Sequence, residues 1–378
     1  MARPDYGVGA PSLGLLNVAC KRLLLVTLSA APIVDGHLDL AENVTLFGRD
    51  LTQSVTAIRA AERRSNRQAT VSLPELERGG IAVALATVTA GFLVADVGPH
   101  FRPRSALYST PAEAEAQALA QIELYQRWQS EGRVRLLRSL SDLEHHLQLW
   151  RTDRRPGLVL LMEGADPIVR VDDLGAWWRR GVRIVGLTFG DTRYGAGVAG
   201  GGPSGRSGGL TDDGVALLSR MAELGLAWDV SHLTEQGIWQ GLETGFPRVC
   251  ASHANAQSLT PMARHLSDPV IRAIADRNGV IGIVLYNGYL ERAWLTDRSI
   301  RVTVDVNVRR HVTHIAEIAG GAHVGIGSDL DGGFGREESP EEIDTIADLH
   351  TVGSVVAAEI RDALLGENWL TFLRCALP

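Results

Sequence analysis

Short apolar runs, many of them β-branched, recur along the chain at intervals that leave room for a helix between neighbours. They span residues 33–39, 81–88, 158–163, 183–189, 226–232, 248–253, 280–286 and 323–329. Between them, residues 112–128, 212–224, 268–277 and 307–319 repeat apolar positions at helical spacing. Thr110, Thr211 and Ser267 stand where N-caps belong, ahead of Pro111, Asp212 and Asp268. Strands that are apolar throughout, alternating with amphipathic helices, predict a parallel sheet covered on both faces. Eight such units point to an α/β chain closed into a (β/α)8 TIM barrel, with a doubly wound open sheet as the alternative. The polar residues favour the barrel. Five of the eight runs finish on His, Asp or Glu, and barrel enzymes hold their active sites at the C-terminal strand ends.

The longest break in the pattern is GAGVAGGGPSGRSGG at 195–209, which contains a GxGxxG from Gly195 to Gly200. A nucleotide site needs that motif to tip directly into a helix. Here further glycines and a proline follow, so the segment reads as a mobile loop over the barrel mouth.

With 378 residues, 45% of them hydrophobic, the chain can bury a large core. The expected organisation is one catalytic barrel over 33–378, with 1–32 as an N-terminal extension packed on it. A net charge of −7, with arginines scattered rather than clustered, fits neither a nucleic-acid groove nor an anionic membrane surface. Cys20, Cys250 and Cys375 are odd in number and form no CxxC, which argues against a disulfide framework and against a thiolate zinc site. The thiols read as reduced, which places the chain in the cytoplasm. Residues 23–31 resemble a signal-peptide core, making export the alternative, but they run straight into the first strand. No apolar run reaches the roughly 20 residues of a membrane span. Trp177, Trp178 and Trp239 lie in helical segments and read as packing residues.

The first run ends DGHLD, placing His37 and Asp39 two residues apart and therefore on one side of a strand. A buried His–carboxylate pair would read the same way. The third ends LLMEG, where Glu163 needs a cation or donors because an unpaired buried carboxylate is costly. An ion pair with Arg193 is the structural alternative. The fifth and sixth end VSH and ASH, at His232 and His253; imidazole and carboxylate together suit Zn²⁺ and similar ions. The eighth reads HVGIGSDLDGG, with Asp329 placed for proton transfer and Asp331 better suited to pinning a turn. A mononuclear or phosphate-ester hydrolase of this fold would call for HxH, not HLD, on the first strand.

Taken together, DGHLD, the LPELERGG-IAVALATV run, MEGAD, DVSH, SHANAQSL and GIGSDLDG resemble the motifs of the membrane (renal) dipeptidase family, peptidase family M19, in order and spacing. The resemblance covers about 34–331, and more loosely the GENWL segment. It implies a metal-dependent hydrolase with two divalent ions, zinc by preference. His37, Asp39 and Glu163 would hold one ion, and Glu163 would bridge to a second held by His232 and His253. A hydroxide between the metals would attack the peptide bond, with Asp329 as acid/base. Arg264, in PMARHLSD, matches the arginine that grips the terminal carboxylate of the substrate, and Tyr286 stands where the family often has an aromatic hydroxyl. The implied partner is a small peptide or amide, and a homodimer would fit the family.

One position departs from the family. Members usually read Leu-Thr-His-Asn at the fourth strand end, whereas this chain reads LTFGD, with Phe189 at the place of the histidine. A phenyl ring cannot donate to an oxyanion, and losing one such donor typically costs about 10²–10³ in turnover. Either the following loop supplies a substitute, Arg193 or Tyr194, or the substrate is not a standard dipeptide. A non-catalytic barrel that keeps the cage is the remaining alternative.

Overall fold

β-Branched and apolar runs buried on both faces have one stable arrangement, a parallel sheet wrapped by helices. The computed structural model describes residues 31–62, 67–90, 108–198 and 208–378, and within it Pro32–Pro378 is one compact unit. Nine strands are present: β1 Ile33–Leu38, β2 Ile81–Thr89, β3 Arg135–Leu136, β4 Gly157–Glu163, β5 Val182–Gly186, β6 Ala227–Asp229, β7 Val249–Cys250, β8 Ile281–Ile283 and β9 Val324–Ile326. Their order is β7-β6-β5-β4-β2-β1-β9-β8, all pairs parallel. A bridge between Ala251 and Ile281 brings the two ends of that series together. The sheet is thus a nearly closed eight-staved barrel rather than an open sheet. β3, paired only with the start of β4, stands outside the eight.

Each stave comes from one of the eight apolar runs, but most strands end before their run does. The polar residues therefore lie just past the ladder, in loops at the barrel mouth. Three of them, His232, Asp329 and Asp331, adopt positive φ angles of 65°, 58° and 65°. That backbone region costs a non-glycine residue about 1–3 kcal/mol and clusters at functional sites.

Two cores flank the sheet. One lies between strands and helices. The other fills the barrel, where Val34, Val83, Val159, Leu161 and Ile184 meet Trp369 from the helix Asn368–Ala376. Gly36 and Gly325 make room for that indole: a Cβ on either would lie 2.5 or 2.4 Å from its ring. The indole N–H donates to the Ile326 carbonyl. This explains why GENWL belongs with the strand motifs despite lying so far from them in sequence. Trp177 is fully buried, and Trp178 and Trp239 pack against the outer core.

The helices begin where the caps predict. Thr110 forms a full capping box with Glu113 ahead of Pro111–Ser130, and Thr211 accepts from Gly214 ahead of Asp212–Leu224. Ser267 precedes Asp268–Ala275 without a side-chain cap bond, because its hydroxyl donates to Glu235 instead. The extension 1–32 and the 23–31 segment fall almost wholly outside the described residues. In the glycine-rich segment, Gly195 and Gly197 form antiparallel bridges to Leu210 and Leu233, and among its described residues no helix starts before Asp212. The motif is therefore no phosphate cradle through Val198, and 199–207 lie outside the described residues. No helix among the described residues is long and apolar enough to cross a membrane.

Candidate metal centre

β1 delivers His37 from within the strand and Asp39 from the first residue beyond it, both buried. Glu163 closes β4, while His232 and His253 follow β6 and β7 by three residues each. These five converge. The Nε2 atoms of His37, His232 and His253 lie 3.4, 3.3 and 3.6 Å from Glu163 Oε1. His37 Nε2 is 3.7 Å from Asp39 Oδ1, and the Nε2 atoms of His232 and His253 are 2.9 Å apart. Arg193, the alternative partner for Glu163, bonds to Asp166 and to the Val169 carbonyl.

The opposite ring nitrogens settle what those distances mean. Every Nδ1 has an oxygen within hydrogen-bond reach: Ser252 Oγ for His37 and His253, at 3.0 and 2.8 Å, and the Val198 carbonyl for His232, at 2.9 Å. With the ring protons on Nδ1, three bare Nε2 lone pairs face one carboxylate oxygen. Such an arrangement is repulsive until a cation enters. Tetrahedral zinc with bonds of about 2.0–2.2 Å holds its ligand atoms roughly 3.4 Å apart, which is the spacing seen. His37, Asp39 and Glu163 form one possible ligand set and Glu163, His232 and His253 a second. Burial lowers the pKa of all three histidines, those of His232 and His253 well below the ordinary value. They are held neutral, as ligands must be.

Asp329 joins the same pocket as Asp39, Glu163, His232 and His253. Burial, then the nearby Asp39 and Glu163, push its carboxyl well above the usual carboxylate range. A bound cation would pull it back down. Asp331 points elsewhere: it accepts from the Thr70 and Val71 backbone N–H groups and lies 3.3 Å from Arg49. It pins the β9 turn to a distant segment.

Arg264 is buried beside this site. One Nη2 proton goes to the His253 carbonyl at 2.7 Å, while Nε and Nη1 have no hydrogen-bond partner among the described residues. Burying a guanidinium with unspent donors is costly, and an incoming carboxylate would satisfy them. Tyr286 packs edge-on against Tyr289 and Trp294; the tyrosine lining the pocket is Tyr289, whose ring centroid lies 6.0 Å from the Arg264 guanidinium carbon. Sequence reading did not single out Tyr289, although YNGYL places it one helical turn after Tyr286. Nor did it find Glu42 and Phe47, which also line the pocket; Glu42 sits one turn after Asp39 in the helix Leu40–Thr45.

Phe189 lines the pocket with its ring centroid 4.6 Å from that of His232. Neither substitute donor reaches it. Arg193 is spent on the 166–169 loop, and the buried Tyr194 hydroxyl donates to the Ile168 carbonyl at 2.5 Å. A separate grouping on the outer surface, Ser258, His314 and Asp268, is no catalytic relay. Serine and aspartate both contact Nε2 of the imidazole, at 2.8 and 2.9 Å, so no proton can pass through the ring from one to the other.

Comparison with known proteins adds a family match. The profile of the membrane dipeptidases, peptidase family M19, matches residues 24–373. A Klebsiella pneumoniae protein, described as an uncharacterized protein in the pqqA 5′ region, is 33% identical over 254 residues, 65% of this chain and 90% of its own. Among solved structures, dipeptidase AC superposes with a TM-score of 0.73 at 24% identity, over 92% of this chain and 99% of that one. A Rhodobacter sphaeroides metallopeptidase, solved with a phosphinate mimic of the dipeptide L-Ala-D-Ala, gives 0.72 at 22% over the same shares. At those identities the structural likeness speaks for the fold.

Proposed function

Since the chain belongs to the membrane dipeptidase family, peptidase family M19, we propose that it hydrolyses the peptide bond of dipeptides with the aid of two zinc ions. The carrying observation is the convergence of three imidazole Nε2 atoms and the Asp39 and Glu163 carboxylates beside the buried pocket that also holds Asp329. His37, Asp39 and Glu163 would hold one ion, and Glu163, His232 and His253 the other. Bound there, the cations would polarise the scissile carbonyl and make an attacking water acidic at neutral pH. Asp329 receives a proton from that water on a carboxylate oxygen and passes it to the departing amine nitrogen. Arg264 offers Nε and Nη1 to the substrate carboxylate, fixing the register of the peptide bond. Phe47, Phe189 and Tyr289 line the same pocket together with Gly332 and Gly333. Placement of the chain in the cytoplasm, and its assembly as a homodimer, belong to the same proposal.

A second reading keeps the hydrolase and changes the substrate to another amide or a biosynthetic intermediate. Phe189 favours it, because neither Arg193 nor Tyr194 replaces the donor that the family reading expects there. Elemental analysis alongside hydrolysis of a panel of L,L- and L,D-dipeptides, N-acyl amino acids and β-lactams separates the two. About two zinc equivalents with dipeptide turnover supports the first, and turnover confined to the other amides supports the second. A metal-loaded but inert protein across the panel would leave a non-catalytic barrel.

A further inference from the structure

Behind the imidazoles, on the side away from Glu163, lies a single hydroxyl. Ser252 Oγ is 3.0 Å from His37 Nδ1, 2.8 Å from His253 Nδ1 and 2.5 Å from Asp229 Oδ2. All four residues are buried. A serine hydroxyl has one proton and two acceptor lone pairs, and a carboxylate can only accept. The proton therefore goes to Asp229, and both lone pairs are left for N–H donors. Each imidazole must bring its proton on Nδ1, which leaves Nε2 bare on the metal side. Ser231 Oγ is a longer neighbour at 3.3 Å and accepts from the His253 backbone N–H.

We propose that the Ser252 hydroxyl, oriented by Asp229, is the shared positioning group that locks His37 and His253 in the Nδ1–H tautomer and so couples the two halves of the metal cage. The other oxygen of Asp229 accepts from the backbone N–H groups of Ser231 and Ser252, at 3.0 and 2.8 Å, so the clamp itself is held rigid. The Ser252 backbone has no room to retreat: a Cβ on Gly36, Gly282 or Gly327 would lie 2.7, 2.1 or 1.8 Å from its carbonyl oxygen. His37 belongs to one ligand set and His253 to the other, so one hydroxyl serves both ions. His232 is independent of it, since its Nδ1 faces the Val198 carbonyl. The same bookkeeping rules out His37, Asp229 and His253 as an ion site of their own: their facing nitrogens carry protons, and the oxygens of Asp229 are already spent. Partners that orient ligating histidines in this way typically contribute 10–100-fold to metal affinity.

The inference rests on the metal-centre reading above but not on a peptide as substrate, and its readouts are independent of turnover. In metal-free, ¹⁵N-labelled protein, imidazole nitrogen shifts report the tautomer of each histidine. The native chain is expected to show Nδ1–H at His37, His232 and His253. Ser252→Ala should release His37 and His253 to other protonation forms while His232 stays as it was. Asp229→Asn turns the acceptor facing Ser252 Oγ into a donor, so the serine proton swings to one imidazole and only one of the two changes tautomer. Titration with Zn²⁺ alone should show both ions weakened together by Ser252→Ala, by about 10–100-fold. An Nε2–H signal at His37 or His253 in the native chain overturns the proposal, whether or not the variants fold. So does an equal change at all three histidines, or the loss of one zinc equivalent with the other unaffected.

Discussion

Asp329 shows how one residue meets a backbone and a chemical demand together. Its φ of 58° aims the side chain into the pocket, and the following turn permits it only because Gly332 has no side chain: a Cβ there would lie 1.8 Å from Asp329 Oδ1. Asparagine tolerates this backbone region almost as well as aspartate but cannot accept and return a proton. Asp329→Asn should therefore keep its metal content and folding midpoint while turnover falls about 10²–10⁴-fold. Retained turnover would remove Asp329 from the proton-transfer role. Arg264 gives a second, separable expectation. Arg264→Met, which fills similar volume without the Nε and Nη1 donors, should raise KM for dipeptides with a free C-terminal carboxylate about 10–100-fold. C-terminally amidated dipeptides, which offer no carboxylate, should be cleaved equally by parent and variant. A uniform loss on both substrate types would mean that the arginine acts through the His253 carbonyl instead. All eight residues chosen from the sequence could be traced in the fold. The five metal-ligand candidates and Asp329 converge, Arg264 lies beside them, and Tyr286 packs behind the tyrosine that faces the pocket.

Strand ends, not strands, organise this site. Asp35 on β1 accepts from the His37 and Ser328 backbone N–H groups and from the Ser328 hydroxyl, tying β1 to the end of β9. Asp229 on β6 does the same with Ser231 and Ser252, tying β6 to the end of β7. Burial raises the Asp35 pKa to about 6 against the pull of those donors. Sequence alone shows the pieces, DGH, DVS, ASH and GSD, but a serine past the end of another strand carries no sign of which aspartate it will meet. The clamps demand close backbone approach, which explains Gly282 in β8 and Gly327 just past β9, both set against the Ser252 carbonyl. Gly327→Ala would press a Cβ against the Ser252 carbonyl oxygen, backbone that cannot rotate away. The expected loss is about 3 kcal/mol, read as a lower urea midpoint in the metal-free protein. An unchanged midpoint would mean that β9 can shift outward without cost.

At the scale of the whole molecule, several histidines are kept neutral by burial, and His146 lies outside the site. It is buried, and an Nε2–H donates to the Ala82 carbonyl at 2.8 Å. Desolvation lowers its pKa from 6.5 to about 4. A depressed histidine is neutral in the folded chain while the unfolded chain takes up a proton below pH 6.5. Its stabilisation is therefore complete above pH 6.5 and is lost as the pH falls through about 4. At about 1.4 kcal/mol per unit, the full effect is on the order of 3 kcal/mol. His146→Gln keeps a donor for Ala82 without titrating, so urea unfolding from pH 7 to 4 should show a shallower decline than in the parent; parallel declines would place the sensitivity in other groups. The sequence by itself determined the eight apolar staves, their alternation with helices and the candidate ligands near their ends, which favoured a barrel over an open sheet. Hydrophobic periodicity is local, and side chains at equivalent strand ends must meet once the strands close into a ring. Only the tertiary structure decided which of two nearby tyrosines faces the pocket, that neither Arg193 nor Tyr194 replaces the histidine lost at Phe189, and that one serine stands behind two candidate ligands. Those outcomes depend on contacts between residues far apart in the chain, whose distances arise from packing and leave no periodic trace in the sequence.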